Sequence, residues 1–203
     1  MNKRDEFILN YDKVISKTVD DETIEYGILY GNEKIVFIKI GADGNIRGYK
    51  DKYLKMAYRI HKRLGSTVVC ASNPWIEEGH IDADKSVICE TATEKSFSEY
   101  EVYFVGASDG ANHTLLLAGE VTQTVKILGI NTSVVDLQDF KNKLNGLSRI
   151  KKIFVYGTED ELFYIVPSLE NTECDNLEIK TIQGADHCFR DMLEEYISII
   201  DLL

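Results

Sequence analysis

Prolines are scarce in this sequence, two in 203 residues, and there is a single tryptophan. No stretch is dominated by proline, glycine or serine, so nothing reads as a linker or a low-complexity segment, and no internal repeat is present. Basic residues are outnumbered: 23 Lys and Arg face 34 Asp and Glu, a formal net charge of −11. That balance argues against a nucleic-acid backbone or an anionic membrane as the main partner, because both need a basic face. It should also repel anionic substrates weakly. Long apolar runs are missing too. The longest, such as "IVFI" and "TLLLA", fall far below the ~20 residues of a helical membrane span. The opening "MNKRDEFILNYDK" begins basic but has no long apolar core behind it, so no secretory signal is expected. Cys70, Cys89, Cys174 and Cys188 show no Cys-x-x-Cys spacing, and without a signal they read as reduced thiols in a cytoplasm. No histidine and carboxylate spacing resembles a zinc motif, so neither a metal nor a cofactor is expected. The sequence carries no signal of oligomeric state.

What is present suits one domain with a sizeable core: 44% of residues are apolar and 28% charged. "FILNYDKVISK" and "TIEYGILYG" read as strands, the second turning at Gly31-Asn32 into "KIVFIKI". The connections are too short for crossover helices, which predicts an antiparallel start. After the loop "GADGNIRG", Tyr53, Met56, Ala57, Ile60 and Leu64 form a helical stripe closed by Gly65. "STVVCAS" is a strand, "NPWIEEGHIDADK" a loop, and a weakly patterned helix falls within residues 83–98. "EVYFVG", "VKILGIN", "IKKIFVYG" and "LEIKTIQG" are further strands. Between and after them lie a helix from "ANHTLLLAG", a helix capped by Asp136, a short helix "ELFYIVPSLE" and a C-terminal helix striped by Phe189, Met192, Leu193, Tyr196, Ile197 and Ile200. Near-continuous apolar strands alternating with amphipathic helices predict an α/β protein. Its central sheet is mostly parallel and carries helices on both faces. Ligands bind such sheets outside the carboxyl ends of the strands. The informative residues are therefore those at 41–48 and 73–78, Ser108, Thr132, Ser133, Asp160 and His187.

Ser108 lies between Gly106 and Gly110 where "EVYFV" gives way to "ANHTLLLA". A serine in so sharp a strand-to-helix turn projects its hydroxyl above the sheet, and the positions two before and two after must be small. The first N–H groups of the following helix point at the same spot, which suits a developing oxyanion. A serine hydroxyl needs an imidazole to take its proton and a carboxylate to orient that imidazole. "IFVYGTEDE" offers Asp160, with Glu159 as competitor and helix capping as the alternative role. "IKTIQGADHCF" offers His187, whose neighbour Asp186 is poorly placed to reach across the ring. His61, His80 and His113 read as structural or solvent-facing. Trp75 stands at a strand end and suits either an acyl-pocket wall or a core edge. Arg47 could hold a substrate carboxylate or pair with Asp43 or Asp109.

From about residue 22 to the end the chain resembles the α/β-hydrolase superfamily, on the motifs "GASDG", "YGTEDELFYIVP" and "GADHCF" in the order Ser108, Asp160, His187. The resemblance implies that these three are nucleophile, acid and base. It implies an oxyanion hole from the N–H of Asp109 and an N–H after the third strand, at Ala42 or Asp43. Where many members have His-Gly at that loop, this chain has Ile40-Gly41. Asp43 and Asp109 would flank the oxyanion region and disfavour anionic substrates; with Trp75, Asp43 is a candidate substrate contact. The interval from Ser108 to Asp160 is filled by two strands and two helices, leaving no room for a lid. The expected partner is a small-molecule acyl substrate: an ester, thioester or peptide. The alternative is a binding or accessory protein that keeps the fold without turnover.

Overall fold

The computed structural model describes residues 9–74 and 80–203. The chain opens with β1 (Lys13–Val19) and β2 (Glu22–Leu29), which pair antiparallel from Val19 opposite Glu22. The two residues between them, Asp20 and Asp21, both have positive φ, at 48° and 65°. That is the turn geometry whose twist matches a two-residue hairpin.

The remaining strands are β3 (Asn32–Lys39), β4 (Ser66–Ala71), β5 (Glu101–Ala107), β6 (Thr124–Ile130), β7 (Lys151–Gly157) and β8 (Leu177–Ile182). Their order in the single eight-stranded sheet is β1-β2-β4-β3-β5-β6-β7-β8. The β1–β2 and β2–β4 pairs are antiparallel and every other pair is parallel. The antiparallel start is as the short connections require. The β2-to-β3 turn does not make a hairpin, however, because β4 inserts between those strands. At the turn, the N–H of Asn32 donates to the carbonyl of Gly65, just before β4, at 2.8 Å.

Alternation along the strands divides the core. Val36 and Ile38 of β3, Val68 of β4 and Val105 of β5 face α1 (Lys52–Leu64) and α6 (Leu193–Ser198). Ile35, Phe37, Val69 and Phe104 face the opposite way, into a core shared with α2 (His80–Glu94), α3 (Asp109–Glu120), α4 (Leu137–Gly146) and α5 (Val166–Glu170). Two-sided cover is the reason the strands read as unbroken apolar runs. Gly65 closes α1 in the left-handed conformation, and the Asp136 carboxylate caps α4 by accepting from the N–H groups of Gln138 and Asp139.

Two helices differ from their sequence pattern. α2 spans His80–Glu94, so its end falls within the expected window of 83–98 but its first turn lies ahead of it. Its buried face includes His80, Asp84 and Thr91 beside Val87 and Ile88, and these polar core positions hide the apolar period. The C-terminal stripe is not one helix from Phe189. Phe189 and Asp191 have φ of 55° and 60°, which a right-handed helix cannot contain. Regular α-helix begins only at Leu193, and a 3₁₀ turn at Ile199–Leu202 follows it. Among the described residues, no helix is long and apolar enough to cross a membrane.

Candidate active site

β5 ends at Ala107 and α3 begins at Asp109, so the whole reversal rests on Ser108. Its backbone sits at φ 52°, ψ −122°, a strained conformation for a residue with a Cβ. The surroundings hold it there: the Ser108 N–H donates to Ile130 at 2.8 Å, and its carbonyl accepts from Ala111 at 3.1 Å and Ser133 at 3.3 Å. The flanking glycines are demanded by close approach. A Cβ on Gly106 would lie 2.3 Å from the Ala111 Cα, and one on Gly110 would lie 2.2 Å from the Ile40 carbonyl oxygen. The second contact also seats the start of α3 beneath the loop that leaves β3.

The three distant candidates converge. His187 Nε2 is 3.0 Å from Ser108 Oγ, and His187 Nδ1 is 3.1 and 3.0 Å from the two carboxylate oxygens of Asp160. Asp160 is 4% exposed, whereas the imidazole is partly open to solvent. The capping role and the orienting role of Asp160 coexist, since its Oδ1 also accepts from the Leu162 N–H at 2.9 Å. Glu159 is exposed, and only its backbone N–H is engaged, on Ala185. Asp186 points its carboxylate at the N–H groups of Cys188 and Arg190, away from the ring it precedes.

At the loop after β3, the Asp43 N–H is spent on the Asn73 carbonyl at 2.8 Å. No hydrogen-bond partner engages the Ala42 N–H among the described residues. A Cβ built on Gly41 would stand 3.4 Å from the Ser108 Cβ, so this loop passes directly beside the serine. Asp109 is exposed and its carboxylate accepts from Asn73 Nδ2 at 3.3 Å. The Asp43 side chain is exposed, on a shallow cleft of about 330 Å³ that it shares with Thr23, Glu25 and Ser72. Trp75 lies outside the described residues. Arg47 pairs with an aspartate, but with Asp51 at 2.8 Å and not with Asp43 or Asp109.

Comparison with solved structures follows this geometry. Over 95% of its length the chain superposes on 98% of an alpha-beta serine hydrolase homologue from Coxiella burnetii, with TM-score 0.71 and 16% identity. The chain has the α/β-hydrolase fold. Dienelactone hydrolase from Anabaena variabilis shares that fold at TM-score 0.69 and 15% identity, with 94% of both chains covered. So does Est1E from Butyrivibrio proteoclasticus, at TM-score 0.64 and 12% identity, covering 93% of this chain and 96% of that one. No family model and no curated protein matches the sequence.

Two features of this α/β-hydrolase fold escaped the sequence. The first is Asn131, at φ 45° immediately after β6. Its amide nitrogen donates to the carbonyls of Asp186 and His187 at 3.2 and 3.0 Å, while its Oδ1 accepts from the Gly157 N–H at 2.9 Å. One buried side chain therefore ties the His187 loop to the ends of β6 and β7. An Asn directly after a strand, tolerant of positive φ, is the only signal that marks it.

The second is a buried polar cluster below the loop that leaves β3. Lys39, the last residue of β3, and Asp84 of α2 form an ion pair at 2.9 Å with both side chains fully buried. Asp84 also accepts from Tyr26 at 2.8 Å and bonds His113 at 2.8 Å, and Lys39 reaches His80 Nδ1 at 3.1 Å. His80 Nε2 is 3.0 Å from the Pro74 carbonyl. Burial alone would raise the Asp84 pKa, but Lys39 and His113 outweigh it and hold the carboxyl below its usual range. Burial, reinforced by Lys39, lowers His80 to about 4. His80, Asp84 and His113 bring ligand atoms within 4.8 Å of one another. The Lys39 ammonium, within hydrogen-bond distance of two of them, supplies the positive charge there. Both histidines were expected to be structural or solvent-facing. His80 is buried and His113 partly so, and both are hydrogen-bonded within this cluster.

Proposed function

We propose that this protein is a serine hydrolase that cleaves a carboxylic ester through an acyl-serine intermediate. The observation that carries the reading is the unbroken relay from Ser108 Oγ through His187 to the buried Asp160. With Nδ1–H donated to the Asp160 carboxylate, Nε2 carries the lone pair that accepts the Ser108 proton as Oγ attacks the carbonyl carbon. The Asp160 charge stabilises the imidazolium so formed. The N–H groups of Asp109 and Ala42 hold the oxyanion; the engagement of Asp43 with Asn73 favours Ala42 over its neighbour. The imidazolium then protonates the departing alkoxide. Water, deprotonated by the same nitrogen, releases the acid and returns the proton to Ser108.

The site is read as lidless, with α3, β6, α4 and β7 as the only elements between Ser108 and Asp160. That favours small substrates over a lipid interface. The reading extends to a cytoplasmic location, supported by four cysteines that stay unpaired. A fluorophosphonate probe tests the mechanism. Labelling at Ser108, lost in His187→Ala, is the expected result. Folded protein that takes no label would mean a binding protein on a hydrolase scaffold. Parallel assays with p-nitrophenyl esters, acyl thioesters and aminoacyl amides then separate esterase from thioesterase and peptidase.

A further inference from the structure

A cavity of about 630 Å³ lies between the 3₁₀ turn at Tyr49–Asp51 and the segment that follows His187. Cys188, the residue after His187, lines it, and so does Tyr196, whose ring packs edge to face on Tyr53 with centroids 6.3 Å apart. Its apolar side is aromatic. Phe189 and Tyr196 pack edge to face with centroids 5.1 Å apart. Its polar side is basic: Lys50, Lys52 and Arg190 face it against one carboxylate, Asp191. In a chain of net charge −11 that local excess is unusual.

Lys52 is the informative member. Its ammonium stands 4.6 Å from the Tyr196 ring centre and 4.9 Å from that of Tyr53. No carboxylate or hydrogen-bond acceptor engages it among the described residues. Burial lowers its pKa. It opens α1, where the helix dipole disfavours a cation, and no acidic side chain of the first turn balances it. Both walls are conformationally strained, with Lys50, Asp51, Phe189 and Asp191 all at positive φ. Strain of this kind persists where the surroundings impose it, and it concentrates at ligand clamps.

We propose that this cavity binds a carboxylate carried by the substrate's acyl chain, with Lys52 as the anchor and the Phe189–Tyr196 surface taking the apolar spacer. The proposal rests on the serine-hydrolase reading for its catalytic side and narrows the substrate to esters of dicarboxylic acids. It runs against the expectation from overall charge and from Asp43 and Asp109. Those two carboxylates have no part in lining this cavity.

The test pairs two esters of equal acyl carbon count, p-nitrophenyl valerate and the mono-p-nitrophenyl ester of glutaric acid. The glutarate ester should be preferred in kcat/KM. Lys52→Gln should reduce the glutarate-to-valerate ratio about tenfold, the worth of one charge-assisted contact in a half-buried site. Arg190→Gln, at an exposed position, should reduce it less and guards against a folding defect in the first variant. Calorimetric titration with glutarate needs no turnover: binding to wild type that weakens in Lys52→Gln supports the cavity even if no ester is cleaved, a result that would instead sink the hydrolase reading. Equal handling of both esters, or a ratio untouched by Lys52→Gln, overturns the proposal.

Discussion

Asp84→Asn perturbs the buried cluster beneath the loop after β3 by exchanging one carboxylate oxygen for an NH₂ group. Asp84 accepts from Lys39, His113 and Tyr26, all within 2.9 Å, and neither it nor Lys39 has any exposed surface. An amide cannot neutralise the ammonium, and whichever way it turns, an NH₂ group meets a donor. Removing one partner of a buried pair leaves the other charge uncompensated, at a cost of about 3–5 kcal/mol. For a chain of this size each kcal/mol moves the melting temperature by roughly 2–4 °C, so the variant should melt about 6–20 °C below wild type. Urea titration followed by circular dichroism measures the loss directly. In a Lys39→Met background the same Asp84→Asn change should cost clearly less, because the unpaired ammonium is gone. The pH dependence has a definite sign. Asp84 is held below its usual range, so its contribution is complete above the unfolded pKa of about 3.9 and is lost as pH falls through the lower, folded value. Wild type should therefore lose stability below pH ~4 more steeply than the variant. A destabilisation under about 1 kcal/mol, or single-variant costs that simply add in the double variant, would refute the account of an uncompensated charge.

Three further outcomes are expected. Asn131→Ala frees the carbonyls of Asp186 and His187 and, on the proposed mechanism, should lower kcat about tenfold or more with little change in KM, since it loosens the His187 loop; steady-state kinetics on any cleaved ester reads it. Gly110→Ala places a Cβ against the Ile40 carbonyl and should yield destabilised protein that resists fluorophosphonate labelling, because loop and elbow cannot both keep their places. His80, neutral in the fold down to about pH 4 but protonated near 6.5 when unfolded, makes the unfolded chain the better proton binder between those values. Stability should fall as pH drops through that window, by at most about 1.4 kcal/mol per unit, and His80→Gln should remove that slope.

The sheet and the three convergent residues were readable because their signals are local. An apolar run of strand length, a glycine on either side of Ser108, and the segments that carry Asp160 and His187 after β7 and β8 are each written in a few consecutive residues. The hidden elements are those whose polar residues are buried. α2 begins with a histidine and carries an aspartate into the core, so its stripe does not look apolar, although Lys39 and Tyr26 make both residues at home there. The C-terminal stripe misled in the opposite direction: its spacing fits a helix, but Phe189 and Asp191 are turned to positive φ, and Phe189 lines the cavity that faces Tyr49 and Lys50.

By itself, then, the sequence determined the alternation of strands and helices, the antiparallel opening and the elbow at Ser108, all of which follow from side-chain period and short-range sterics. Only the tertiary structure decided that β4 enters between β2 and β3, that among the described residues Asp43 and not Ala42 spends its N–H on a partner, and that Lys39 finds its counter-charge on α2. Those depend on which distant groups share hydrogen bonds and charges, and no span of consecutive residues encodes such a meeting.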